Sequence, residues 1–155
     1  AAAVPAEEPA TTEAGEDTLP PDRRAAMLLG RRDAAGAAEA IEALAAANPD
    51  HLALPSLRAR LAFLELANAR PNAVELRETL AASPGDSAAR HALAAHHAVL
   101  GDYGTALAEW LELLRRDKRY GDGAARRSLL QAFDVLGDSD PLTAQYRRRM
   151  ASLLH

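Results

Sequence analysis

Two stretches of this chain end almost identically. Residues 44–50 read LAAANPD and residues 80–86 read LAASPGD, so Pro49 and Pro84 lie 35 positions apart. In each, an alanine-rich helical pattern stops at a proline, which has no N–H to continue it. A further step of 34 from Pro84 reaches Lys118, in the loop after the segment that carries Trp110. A spacing of about 34 residues is the length of a two-helix unit. Such a unit cannot cover its own apolar face, so successive units must stack.

Between the second and third unit ends the pattern is sharpest. Gly101 separates two helical runs, and after it Tyr103, Ala106, Trp110 and Leu113 recur every three or four residues on one face. The small side chain of Ala106, between two aromatics, allows a second helix to come close. Leu93, Ala94 and His97 offer the face of that second helix. This arrangement resembles a tetratricopeptide repeat (TPR). In that frame His97 stands where an aromatic is usual and Lys118 where a proline is usual. The first unit keeps Ala37, Ile41, Leu44 and Pro49, and the second keeps Leu76, Leu80 and Pro84. The resemblance implies a protein-binding module.

Composition agrees with stacked helices. Hydrophobic residues make up 48% of the chain but aromatics only 4%, because alanine supplies much of the apolar content. Alanine favours helix, whereas a sheet would draw on β-branched and aromatic residues. Helical patterns are expected at about 21–30, 34–47, 54–68, 71–82, 87–100, 103–116, 123–136 and 141–154. Asp33 and Asp86 suit N-caps, Asp140-Pro141 is a cap followed by a proline at the first helical position, and Gly137 suits a left-handed helix end. The fold class expected is therefore all-α: a TPR-like, right-handed solenoid of about eight helices in antiparallel pairs. Residues 1–20, with five acidic side chains, no basic ones and three prolines, are expected to be a linker or tail ahead of a domain at 21–155.

Charge is uneven. The net charge is −4, but residues 1–114 carry nine basic and seventeen acidic side chains, while 115–155 carry nine basic and five acidic. The final helix gathers Arg147, Arg148 and Arg149 around a stripe of Leu142, Tyr146, Met150, Leu153 and Leu154. That helix is read either as a cap on the solenoid or as a docking surface. The docking reading assigns protein binding to Tyr146, Arg147, Arg148, Arg149, Met150, Leu153 and Leu154, with arginines meeting a partner's carboxylates.

The last 55 residues also resemble the carboxyl-terminal region of the YbbN/CnoX-type chaperedoxins, bacterial thioredoxin-like co-chaperones. The likeness rests on Leu114-Arg115-Arg116-Asp117, Asp122-Gly123-Ala124-Ala125-Arg126, Leu136-Gly137-Asp138, Asp140-Pro141-Leu142, Tyr146-Arg147-Arg148-Arg149 and the Leu153-Leu154 end. It implies a cytoplasmic co-chaperone domain that holds unfolded clients and docks to a GroEL-type chaperonin, through residues 141–155. The alternative is a scaffold or self-association module for one folded partner. The family's thioredoxin-like domain is not among these residues, and there is no cysteine to carry thiol chemistry.

Other chemistry finds no footing in the pattern. His91, His96 and His97 are spaced so that no pair shares a helical face as metal ligands would, and they read as structural. The run from Arg115 to Tyr120 suggests a nucleic-acid patch, but the chain is acidic overall and one aromatic adjoins it, so no nucleic-acid partner is expected. No catalytic constellation, cofactor motif or membrane-length apolar run is present in the sequence, and the first residues lack the features of a signal peptide. The inner positions Asp22, Ala26, His91 and Ala95 lack the lysines and asparagines of a carboxylate clamp. An inner groove of alanine, valine and leucine is expected instead, suited to extended apolar segments.

Overall fold

A computed structural model describes residues 15–155, and these form an all-α, TPR-like helical solenoid. The helices are α1 (Pro21–Gly30), α2 (Ala34–Ala47), α3 (Leu54–Ala69), α4 (Ala73–Ala82), α5 (Ser87–Val99), α6 (Tyr103–Arg116), α7 (Ala124–Leu136) and α8 (Pro141–Leu154). Their ends follow the punctuation of the sequence. The carboxylates of Asp33, Asp86 and Asp140 accept from the N–H groups of Gly36, Ala89 and Leu142 at 2.9, 3.0 and 2.9 Å. Gly137, at φ 82°, ends α7 in a conformation that a side chain would strain. The start of α4 is two residues later than expected. Asn72 accepts from Glu75 N–H at 3.1 Å, so it is the cap, and Pro71 lies outside the helix.

Of the segment expected as a linker, residues 1–14 lie outside the described residues. Residues 15–20 lie against the first helix pair. Glu16 pairs with Arg31, Asp17 with Arg24 at 3.4 Å, and Leu19 borders a cleft with Leu28 and Ala40.

The core has three parts. Leu29, Ile41, Leu44, Leu54, Leu57 and Leu64 join α1, α2 and α3. Leu76 packs α4 chiefly onto Ala89, Ala92 and Leu93 of α5. The largest part draws on α3, α5, α6, α7 and α8, and all six aromatic residues of the chain lie in it or against it. At its centre Trp110 is fully buried, with its ring 4.8 Å from that of Phe63. Stacked units of alanine-rich helices thus place their few large rings where several helices meet.

The course of α3 departs from the expected open groove. It packs against both α5 and α7, with Ala59, Phe63 and Ala67 facing Ala94, Ala95, Ala98, Leu129 and Ala132. Small residues on all three helices permit that close approach. The opposite face of α3 serves the first helix pair. Having two buried faces, α3 ties the two main parts of the core together.

Candidate protein-binding site

The final helix is fixed at its start. Thr143 is fully buried, and its hydroxyl donates to the carbonyl of Gly137 at 2.8 Å. One and two turns on, Tyr146 and Met150 enter the main core, with Leu142 and Leu153 half-buried beside them. Tyr146 and Met150 were expected as contact residues for a partner; in the fold they are the anchor of α8. All of the apolar stripe except Leu154 is spent on the domain itself.

The arginines point the other way. Arg147, Arg148 and Arg149 are all exposed. Arg147 donates to Asp138 at 2.8 Å with its guanidinium 5.5 Å from the Phe133 ring, and Arg149 lies 5.2 Å over the ring of Tyr146. These contacts orient the cations along the helix without covering them. Leu154 is 42% exposed at the end of this face.

Beside it, a cleft of about 390 Å³ runs between α6 and α8, lined by Ala108, Leu111, Glu112, Arg115, Arg149 and Leu153. Glu112 is the one acid of this lining. Hydrogen bonds from Arg115 and Arg116 pull its carboxyl down to about 2. It is already engaged, which leaves the cleft with a basic balance and an apolar floor. Sequence reading did not find this cleft, although Glu112 three and four residues before two arginines was a visible signal of a paired helix surface.

The histidines serve the fold. Trp110 donates its indole N–H to Nδ1 of His91 at 3.0 Å, and burial and the nearby charge of Arg127 both hold the His91 pKa below its usual value. His96 meets the carbonyl of Arg70 at 2.6 Å, joining α5 to the end of α3. His97 lies 3.5 Å from Asp102, whose carboxylate caps α6 by accepting from Thr105 N–H at 3.2 Å. Arg90, inside the pair, donates to Glu109 at 2.6 Å and to the carbonyl of Pro84 at 3.0 Å.

The inner groove is narrower than the sequence suggested, because α3 fills much of it. Ala95 and His91 lie buried, and the apolar surfaces of α5 and α7 that would line a groove are covered by α3. The large apolar side chains still exposed among the described residues, Leu52, Val74, Leu100, Leu130 and Leu154, each stand on a different element.

A tetratricopeptide repeat family model matches residues 66–155, from the end of α3 through α8. The chain belongs to the tetratricopeptide repeat family. Comparison with curated proteins and with solved structures finds no significant match. TPR domains are protein–protein interaction modules, generally without catalytic activity, and that is the class of this chain. Among the described residues, no TPR helix is long and apolar enough to cross a membrane.

Proposed function

We propose that this TPR domain docks an acidic surface of a partner protein through the exposed arginine face of α8 and the adjoining α6–α8 cleft. The observation that carries the reading is the division of α8: Tyr146 and Met150 are buried in the domain while Arg147, Arg148 and Arg149 face water. A basic face on a chain of net charge −4 is a local feature that electrostatics can use for orientation and rate. The likeness of residues 101–155 to chaperedoxins supports a GroEL-type chaperonin as that partner.

Client holding is the weaker half of the co-chaperone reading, since α3 covers the apolar inner surface that unfolded segments would need. That observation favours the second reading, a scaffold for one folded partner. Two assays on the same preparation separate them. A chaperonin-docking co-chaperone co-sediments with purified chaperonin and suppresses aggregation of several unrelated denatured proteins. A scaffold does neither.

A further inference from the structure

The α1–α2 pair forms one end of the solenoid: beyond each other, its helices pack chiefly on α3. Between them lies a cleft of about 440 Å³ whose lining includes no residue of α3. Leu28, Ala40 and Ala43 give it an apolar floor, with Asp33 and Glu39 beside them. The one base of the lining, Arg24, is already paired with Asp17 at 3.4 Å. Glu39 and, one turn on, Glu42 are exposed and form no ion pair among the described residues. The opposite end is α8, which packs chiefly on α6 and α7. The helices α2 and α8 are each 14 residues long, about 21 Å. Their charges are opposite: α2 has Glu39 and Glu42 and no base, whereas α8 has Arg147, Arg148 and Arg149 and no acid. The exposed face of α2 runs Ala35, Glu39, Glu42 and Ala46, and that of α8 runs Ala144, Arg147, Arg148 and Ala151. Each carries its charges at its middle, with small residues on either side.

We propose that α8 of one copy lies against the α1–α2 cleft of a second copy, so that the chain associates head to tail. Arg147 and Arg148 meet Glu39 and Glu42, and Leu154, 42% exposed, takes the apolar floor. Residues 1–14, which precede the cleft in the sequence, carry Glu7, Glu8 and Glu13 and no base, so their charge does not suit it. The two surfaces stand at opposite ends of the stack, so the contact is heterologous and builds open chains rather than a closed dimer. One helix on one cleft is a small interface, which makes the association weak and concentration-dependent. Within such a chain of copies every α8 but the last is covered, so association masks the arginine face proposed for docking. That consequence rests on docking through α8; the association itself does not.

Sedimentation equilibrium of the full chain, from about 10 µM to about 1 mM at about 0.05 M salt, tests this. The weight-average mass should rise with concentration past two copies, and the association constant should fall several-fold at about 0.2 M salt. Arg147→Glu with Arg148→Glu, and separately Glu39→Arg with Glu42→Arg, should each weaken association about tenfold or more, because each sets like charges against one another. An equal mixture of the two variants should associate again, since every contact then pairs opposite charges. All four positions are exposed, so both variants should keep the wild-type circular dichroism spectrum. A single copy at every concentration, a mass that stops at two copies, a variant that associates as wild type does, or a mixture that stays dissociated each overturn the proposal. The Glu39→Arg, Glu42→Arg variant keeps the wild-type α8 and should still dock an acidic partner. Failure of docking with association intact therefore counts against the docking reading alone.

Discussion

The indole N–H of Trp110 donates to Nδ1 of His91 across 3.0 Å, linking α6 to α5 inside the main core. Trp110 is fully buried and also meets the ring of Phe63 on α3, so one side chain connects three helices. A polar contact between two buried groups makes the register of these helices specific, because sliding either helix leaves both groups unpaired.

Removing only the donor tests this. Trp110→Phe keeps an aromatic ring but strands the His91 acceptor and leaves part of the indole volume empty. It should cost about 2–4 kcal/mol in urea unfolding followed by circular dichroism. Adding His91→Leu should recover part of that loss, since no polar group is then left alone. A Trp110→Phe variant as stable as wild type contradicts the role given to this bond.

The same pair predicts a pH dependence. The folded pKa of His91 is lowered, first by burial and then by Arg127. In the unfolded chain the ring titrates near its ordinary value of about 6.5. Below that value the unfolded state takes up the proton more readily than the folded state does. The contribution is therefore fully present above about pH 6.5 and is lost as the pH falls toward the folded pKa, at no more than about 1.4 kcal/mol per pH unit. Stability measured from pH 7.5 to 5 should decline in wild type and decline less in His91→Gln. The lowered carboxyl of Glu112 acts in a separate window, below about pH 4.5. Equal slopes for the two proteins between pH 7.5 and 5 exclude the assignment to His91.

Arg90 and Glu109 form an ion pair with side chains 10% and 26% exposed. Breaking a mostly buried pair leaves one charge without compensation. Arg90→Ala should cost about 2–4 kcal/mol, the partial exposure of Glu109 keeping it below the largest values. Replacing both, as Arg90→Met with Glu109→Leu, should return stability to within about 1 kcal/mol of wild type. A double-mutant cycle with no coupling energy rules this out.

The helix ends were legible because they are set locally. Asp33, Asp86 and Asp140 cap the helices that follow them; Gly137 does take a positive φ, but its ψ of 165° makes it an extended turn rather than the left-handed helix end expected. The face of Tyr103, Ala106, Trp110 and Leu113 was equally plain, since periodicity states which side of a helix is apolar. It does not state what meets that side. Phe63 and Trp110 touch only because α3 runs between α5 and α7, a tertiary choice that no local spacing encodes. For the same reason the stripe of Tyr146 and Met150 could face the domain or a partner, and packing decided for the domain. Arg90 and Glu109 look like ordinary surface charges along the chain, and their pairing depends on how α5 meets α6.

Burial of Tyr146 and Met150 also decides how docking through α8 is to be tested. Deleting residues 141–155 would strip a wall from the core, so loss of binding would report unfolding as readily as a lost contact. Charge reversal at the exposed positions avoids that. The direct measurement is calorimetric titration of a purified GroEL-type chaperonin with the domain, wild type and with Arg147, Arg148 and Arg149 changed to Glu. It is run at about 0.05 and about 0.2 M salt, concentrations between which screening of exposed charges grows markedly. The account predicts binding by wild type that weakens several-fold with salt, and none by the variant, at equal helicity and melting temperature. No binding by wild type, or equal binding by the charge-reversed chain, contradicts it.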